Sequence, residues 1–145
     1  MTYEEWEQTV PQQIRLDSVW KITAYRKALF LSDLVWADAQ KFLRNKLTTS
    51  IADQITRAAG KIGSSISEGY SRGSGKSRAL FYEYALGSAR ETRDWYYQGR
   101  RVLSKRVYVH RLDLCTDLLK LLLAMIVTER KTARRVILKQ AIAAE

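Results

Sequence analysis

The sequence predicts an all-α protein, an antiparallel up-down-up-down four-helix bundle with a short N-terminal arm or helix in front of it. Three observations carry that expectation. Apolar residues recur at spacings of three and four along four long segments. No stretch alternates in the manner of a half-buried strand, and no Asn-Gly hairpin signal interrupts the chain. The connections between segments are short, so sequence neighbours should pack antiparallel. With 145 residues and a single proline, Pro11, the chain reads as one domain over 1–145, long enough to bury a core without disulfides or a structural metal.

The arm covers 1–16. Thr2 followed three places later by Glu5 has the form of a capping box, and the short helical piece it would open must end before Pro11. Its Tyr3, Glu4, Glu5, Trp6 and Glu7 contrast with the basic remainder. They would either pack on a neighbouring element or subunit, or fray.

The first long helix is expected over about 18–44, with Asp17 or Ser18 as its cap and Val19, Ile22, Leu29, Leu31, Leu34, Val35, Ala39, Phe42 and Leu43 as a wide apolar stripe. The second, about 49–69, is capped by Thr48, Thr49 or Ser50 and buries Ile51, Ile55, Ala58, Ala59, Ile62 and Ile66. Gly69 should end it, because the residue after a helix favours the left-handed conformation that glycine adopts freely. The third opens at Ser74 or Gly75 and spans about 75–104. The fourth, about 109–142, carries Leu112, Cys115, Leu118, Leu119, Leu122, Met125 and Ile126, then becomes less apolar through Ala133, Val136, Ile137 and Ala141. Small residues such as Gly60 and Gly63 on the second helix, with Gly87 and Ser88 opposite, suggest close backbone approach, since each glycine inside a helix otherwise costs about 1 kcal/mol.

Several chemistries are excluded by spacing. Gly75-Lys76-Ser77 forms the second half of a phosphate-binding loop, but the first glycine would have to stand where Tyr70 stands, and the stretch follows a helix rather than a strand. An NTPase is therefore not expected. A bundle metal site uses Glu and Glu-x-x-His pairs, whereas His110 has no Glu three places before it and reads as a solvated helix-start residue. Cys115 lies on an apolar face, as inert structural thiols do. No catalytic residue, metal or other cofactor is expected, and the protein reads as a non-enzyme. The acidic, aromatic N-terminus lacks a secretory pattern, and the apolar run 118–127 is about half of the roughly 20 residues that a membrane span needs. Cytoplasmic location with no membrane partner follows, in keeping with a lone cysteine.

The net charge of +10, from 25 Lys and Arg against 15 Asp and Glu, attracts polyanions. Nucleic acid leads as the partner class, an acidic protein surface comes second, and a merely basic protein is the bland alternative. In the bundle Arg100, Arg101, Lys105, Arg106 and Arg111 gather at one end with Arg44 and Lys46. Arg72, Lys76 and Arg78 gather toward the other with Arg130, Lys131, Arg134 and Arg135. The stretch 95–101, WYYQGRR, interleaves aromatic rings with arginine and suits stacking on unpaired bases with phosphate contact. It equally suits a core Trp95 with Tyr96 and Tyr97 at an interface. A polar network is expected from Arg57, Glu68, Arg72 and Glu91: a cross-helix Arg57–Glu91 pair, and Glu68 reaching Arg72 or Arg78 around the turn. Solvated surface charges are the alternative. The nearly continuous leucines at 118–123 exceed what one bundle face requires and predict a symmetric homo-oligomer, or burial against the arm.

The residues Tyr25-Arg-Lys-Ala28, Gln54-Ile-Thr-Arg57-Ala-Ala59, Ile66-Ser-Glu68-Gly69-Tyr-Ser-Arg72 and Gly87-Ser88 with Glu91 resemble the four-helix-bundle family encoded in intervening sequences of bacterial 23S rRNA genes. The accessory variability proteins of diversity-generating retroelements are related to that family. The likeness covers Tyr25 to about Leu103. It implies a small non-enzymatic bundle and, in the retroelement branch, a basic homopentamer that binds RNA or cDNA and the element's reverse transcriptase. Where helix three of many relatives continues with aliphatic residues, Arg90, Arg93, Trp95, Tyr96 and Tyr97 stand here, which favours a specialised basic or aromatic contact.

Overall fold

The computed structural model describes residues 1–144. Six α-helices occur in it: α1 (Tyr3–Thr9), α2 (Gln12–Arg15), α3 (Thr23–Leu43), α4 (Thr49–Tyr70), α5 (Gly75–Gly99) and α6 (Lys105–Ala143). A 3₁₀ turn at Ser18–Lys21 precedes α3, and another at Arg100–Val102 joins α5 to α6. The described residues contain no strand. Each long helix packs on the next in sequence, and α3 also meets α6.

The apolar stripes read from sequence meet in one core. Leu31 and Phe42 from α3, Ile55, Ile62 and Ile66 from α4, Tyr96 from α5, and Leu118 and Leu122 from α6 are fully buried there. Each leucine or isoleucine so removed from water contributes roughly 1.5–3 kcal/mol against exposure. Contacts along the helices run in opposite numerical order. Gly63 of α4 lies against Ala28 and Leu29 of α3, whereas Thr48, just before α4, bonds the Phe42 carbonyl near the end of α3.

The arm is tied down. Thr2 Oγ1 accepts from the Glu5 N–H at 3.2 Å while Glu5 Oε2 accepts from the Thr2 N–H at 2.7 Å, the reciprocal box expected of these residues. Trp6 of α1 is 1% exposed. It sits among the rings of Tyr3, Trp20 and Phe30, and its indole N–H donates to Asp33 Oδ2 at 2.6 Å. Of the two expectations for this segment, packing on a neighbouring element holds and fraying does not.

Four expectations are corrected. The first long helix does not run unbroken from residue 18: Asp17 accepts from the Val19 N–H at 2.9 Å and caps a 3₁₀ turn, Ile22 is extended, and α3 starts afresh at Thr23. Val19 and Ile22, three apart, suit either geometry, so periodicity alone does not separate them. Thr48 stands at the N-cap of α4 without capping it, because its hydroxyl donates to the Phe42 and Asn45 carbonyls. Gly69 is not a left-handed terminator, since no described residue has positive φ and α4 continues to Tyr70. Glycine is needed there because a Cβ would stand 2.8 Å from the Tyr82 ring and 2.9 Å from Phe81 Cβ. Close approach also occurs at Gly75, against the Glu129 carbonyl, and at Gly99, against Phe42, whereas a Cβ at Gly60 or Gly87 would meet open space.

The third and fourth helices shift their boundary. α5 closes at Gly99 rather than near residue 104, and Ser104 caps α6 by accepting from the Val107 N–H at 3.3 Å. Leu118, Leu119 and Leu122 are buried within this chain, Leu121 is half-buried, and Leu123 is exposed. The leucine run is therefore mostly spent internally. Exposed apolar surface lies further on, at Val136, Ile137, Leu138 and Ile142. Because α5 begins against Glu129 and Ala133, α6 runs roughly ten residues past it, about 15 Å of helix.

Candidate nucleic-acid interface

The end of the molecule where α3 closes and α6 opens rests on a buried polar cluster. Asp38 of α3 is 1% exposed. Its Oδ2 accepts from the Tyr96 hydroxyl at 2.9 Å and from Arg111 Nε at 2.7 Å, and Lys41 Nζ approaches Oδ1 to 3.7 Å. A carboxylate removed from water is tolerable only with such partners. Burial, then the Asp38 charge, holds the Tyr96 phenol well above its usual pKa, so it remains a donor. Beside it burial pushes the Cys115 thiol up to about 12, which leaves it un-ionised and unreactive at neutral pH.

Outside this cluster stands a group of free cations. The Arg100 guanidinium lies 4.0 Å over the Tyr97 ring, and its Nη1 donates to the Tyr97 carbonyl at 2.7 Å. Tyr97 is 55% exposed. Arg101, Lys105 and Arg106 are exposed around the Arg100–Val102 turn and the first turn of α6, with Arg44 and Lys46 exposed beyond the end of α3. Among the described residues none of these six cations is in an ion pair. Arg100 is held by the Tyr97 ring and carbonyl and no carboxylate among the described residues neutralises any of the six, so their charge is available to an anion.

Within 95–101 the roles divide. Tyr96 is core, Trp95 is half-buried with its N–H donating to Glu91 at 3.3 Å, and Tyr97 faces solvent. Arg111, placed among the binding residues by sequence, stands apart from the free cations: its side chain is 13% exposed and is held by Asp38. His110 stands next to it, with Nδ1 2.7 Å from Arg111 Nη1. Partial burial and the Arg111 charge lower its pKa.

The other candidate cations are differently placed. Arg78 Nε meets Glu129 Oε2 at 2.9 Å while its Nη1 donates to the Arg72 carbonyl at 3.0 Å, and Arg130 is paired with Glu83. Arg72 stacks 4.4 Å over Phe81. Lys76 and Arg134 line an open groove of about 630 Å³ with Ser74, Ser77, Leu80 and Ile137. Lys131, level with the start of α5, and Arg135, on the overhanging part of α6, are exposed. The expected Arg57–Glu91 pair does not form, because Arg57 points outward from α4 and pairs with Asp53 at 3.1 Å along its own helix. Glu68 is exposed and in no ion pair among the described residues, so it reaches neither Arg72 nor Arg78.

The Gly-Lys-Ser stretch has a packing explanation. It follows α4, Ser74 caps α5 by accepting from the Ser77 N–H at 3.2 Å, and Gly75 is where a Cβ would strike the α6 backbone. Sequence reasoning missed Asp38. The signal was present, since Asp38 falls four residues after Leu34 and four before Phe42 on the apolar stripe of α3, and an acid at a core position requires a buried partner. No described helix is long and apolar enough to cross a membrane.

Residues 21–124 match the family described as 23S rRNA-intervening sequence protein. In fold the chain is similar to a crystal structure of a protein of unknown function from the S23 ribosomal protein family of Bacteroides thetaiotaomicron, with 22% identity and a TM-score of 0.66 over 72% of this chain and 98% of that one. No curated protein matches the sequence.

Proposed function

The chain belongs to the 23S rRNA-intervening sequence protein family, and from that premise we propose a non-enzymatic, cytoplasmic, homo-oligomeric nucleic-acid-binding protein. We read its four long helices as one up-down-up-down domain. The observation that carries the binding function is the unpaired cluster Arg100, Arg101, Lys105 and Arg106 beside the exposed Tyr97 ring. Free cations supply phosphate contacts whose affinity comes from counterion release. A ring already stacked on a guanidinium offers a face for an unpaired base. The ligand is RNA or single-stranded DNA. We read the family resemblance as extending to the retroelement branch, which implies a pentamer that presents this strand to a reverse transcriptase.

Titration of labelled RNA and single-stranded DNA against nuclease-treated protein tests this reading. The affinity should fall with a log–log salt slope of about −3 if four phosphates are neutralised, at roughly −0.7 each. Absence of binding at low salt overturns it.

A second reading, an interaction module for an acidic protein, is favoured by one observation. Leu43, Leu47 and Val109 are 52%, 90% and 39% exposed at the same end, and apolar side chains among cations suit a protein surface. Co-purification at moderate salt separates the two, since nuclease dissolves a nucleic-acid complex and spares a protein one.

A further inference from the structure

We propose that copies of this chain join head to tail, the strip Asp33, Trp36, Ala37 and Gln40 of α3 on one copy receiving the strip Lys131, Arg135, Leu138 and Ile142 of α6 on the next. This rests on the homo-oligomer in the preceding reading and assigns its two contacting faces.

The donor strip sets the requirement. Lys131, Arg135, Leu138 and Ile142 share one helical face, which starts level with the first residues of α5 and continues onto the part of α6 that overhangs it. Leu138 is 61% and Ile142 71% exposed, and neither cation is in an ion pair among the described residues. What covers this face must be apolar and must carry no cation of its own.

The acceptor strip meets that requirement, which is unusual on a chain of net charge +10. Its four residues stand at i, i+3, i+4 and i+7, again one helical face. All four are exposed, Trp36 at 68%. The strip holds one carboxylate and no cation. Asp33 receives the Trp6 indole N–H on Oδ2 and is in no ion pair among the described residues. Leu43 and Val109, by contrast, are exposed at the end that carries Arg44, Lys46 and Arg106, and Leu123 shares a helical face with Lys120. A large exposed indole beside a small alanine suits the centre of an interface. Leu138 and Ile142 would cover the indole while Lys131 and Arg135 face Asp33.

Charge dictates the direction. Two donor strips facing each other would juxtapose four cations, so the donor is disfavoured as its own partner. An acceptor strip paired with itself would leave the donor face in water. The strips of one copy cannot meet each other. Asp38 lies level with Arg111 and Lys27 level with Asp117, which leaves residues 131–142 at least about 20 Å further along α6 at 1.5 Å per residue. A heterologous contact of this kind closes into a ring or propagates as a filament.

The test is sedimentation of nuclease-treated protein, with helicity checked by circular dichroism. Wild type should sediment as an assembly. Trp36→Glu and, separately, Leu138→Glu should each give the 16.8 kDa single chain. An equimolar mixture of the two should give a two-chain species, because each supplies the strip the other lacks. Ala37→Lys, which leaves the Trp6–Asp33 bond untouched, should weaken assembly, and adding Arg135→Asp to the same chain should restore it. Monomeric wild type, a Trp36→Glu variant that assembles normally, or a mixture that stays monomeric overturns the proposal. Loss of RNA binding by an intact assembly counts against the binding function alone and leaves the head-to-tail contact standing.

Discussion

The two ends of the bundle carry similar numbers of arginines and lysines, yet they use them differently. Where α5 passes into α6, the buried acid Asp38 engages Arg111 within the structure and approaches Lys41, while Arg100, Arg101, Lys105 and Arg106 stand free outside. At the start of α5, Arg78 and Arg130 are engaged by Glu129 and Glu83, and the cations beyond them lie on an overhanging, partly apolar helix. Formal charge is therefore a poor guide to available charge. What matters is how many carboxylates face each cation and how deeply the pair is buried.

The largest expected effect comes from removing the buried acid. Asp38→Ala leaves the Arg111 guanidinium and the Tyr96 hydroxyl without their acceptor, and should destabilise the fold by about 3–5 kcal/mol in urea unfolding. Next is Gly99→Ala. The added methyl would stand 2.5 Å from Phe42 Cε1, an overpacking expected to cost about 1–3 kcal/mol by the same measurement.

At the opposite end Glu129→Ala breaks a pair whose side chains are 24% and 21% exposed, and about 1 kcal/mol is expected. Equal losses for Asp38→Ala and Glu129→Ala would erase the contrast between the ends. The smallest effect concerns protons. Because the pKa of His110 is lowered on folding, the unfolded chain binds more protons below about pH 6.5, its ordinary value. Stability should thus decline as pH falls from there through the lowered pKa, and His110→Gln should flatten that part of the stability–pH curve.

Much of the fold was legible because long amphipathic stripes leave little choice. The Thr2–Glu5 box, the stripe of α4 and the Ser74 cap all stand where their residues place them. What failed were features decided by neighbours distant in sequence. Gly69 is glycine because of Tyr82 and Phe81, not because of its own backbone. The level of Arg57 and Glu91 along their helices says nothing about which way each side chain points around its helix, and Arg57 turns to Asp53 instead. The candidate site was half legible: composition marked both basic ends, but only the positions of Asp38, Glu83 and Glu129 separate free cations from engaged ones.

The most direct measurement of the central claim compares the two ends in one binding assay. Changing Arg100, Arg101, Lys105 and Arg106 to Gln should abolish most RNA and single-stranded DNA affinity and flatten the log–log salt slope by about 3. The same change at Arg72, Lys76 and Arg134, in protein confirmed to keep its assembly and helicity, should leave both nearly as in wild type. Equal losses from the two sets, or loss from the second alone, would contradict the assignment of the binding surface to the α5–α6 junction.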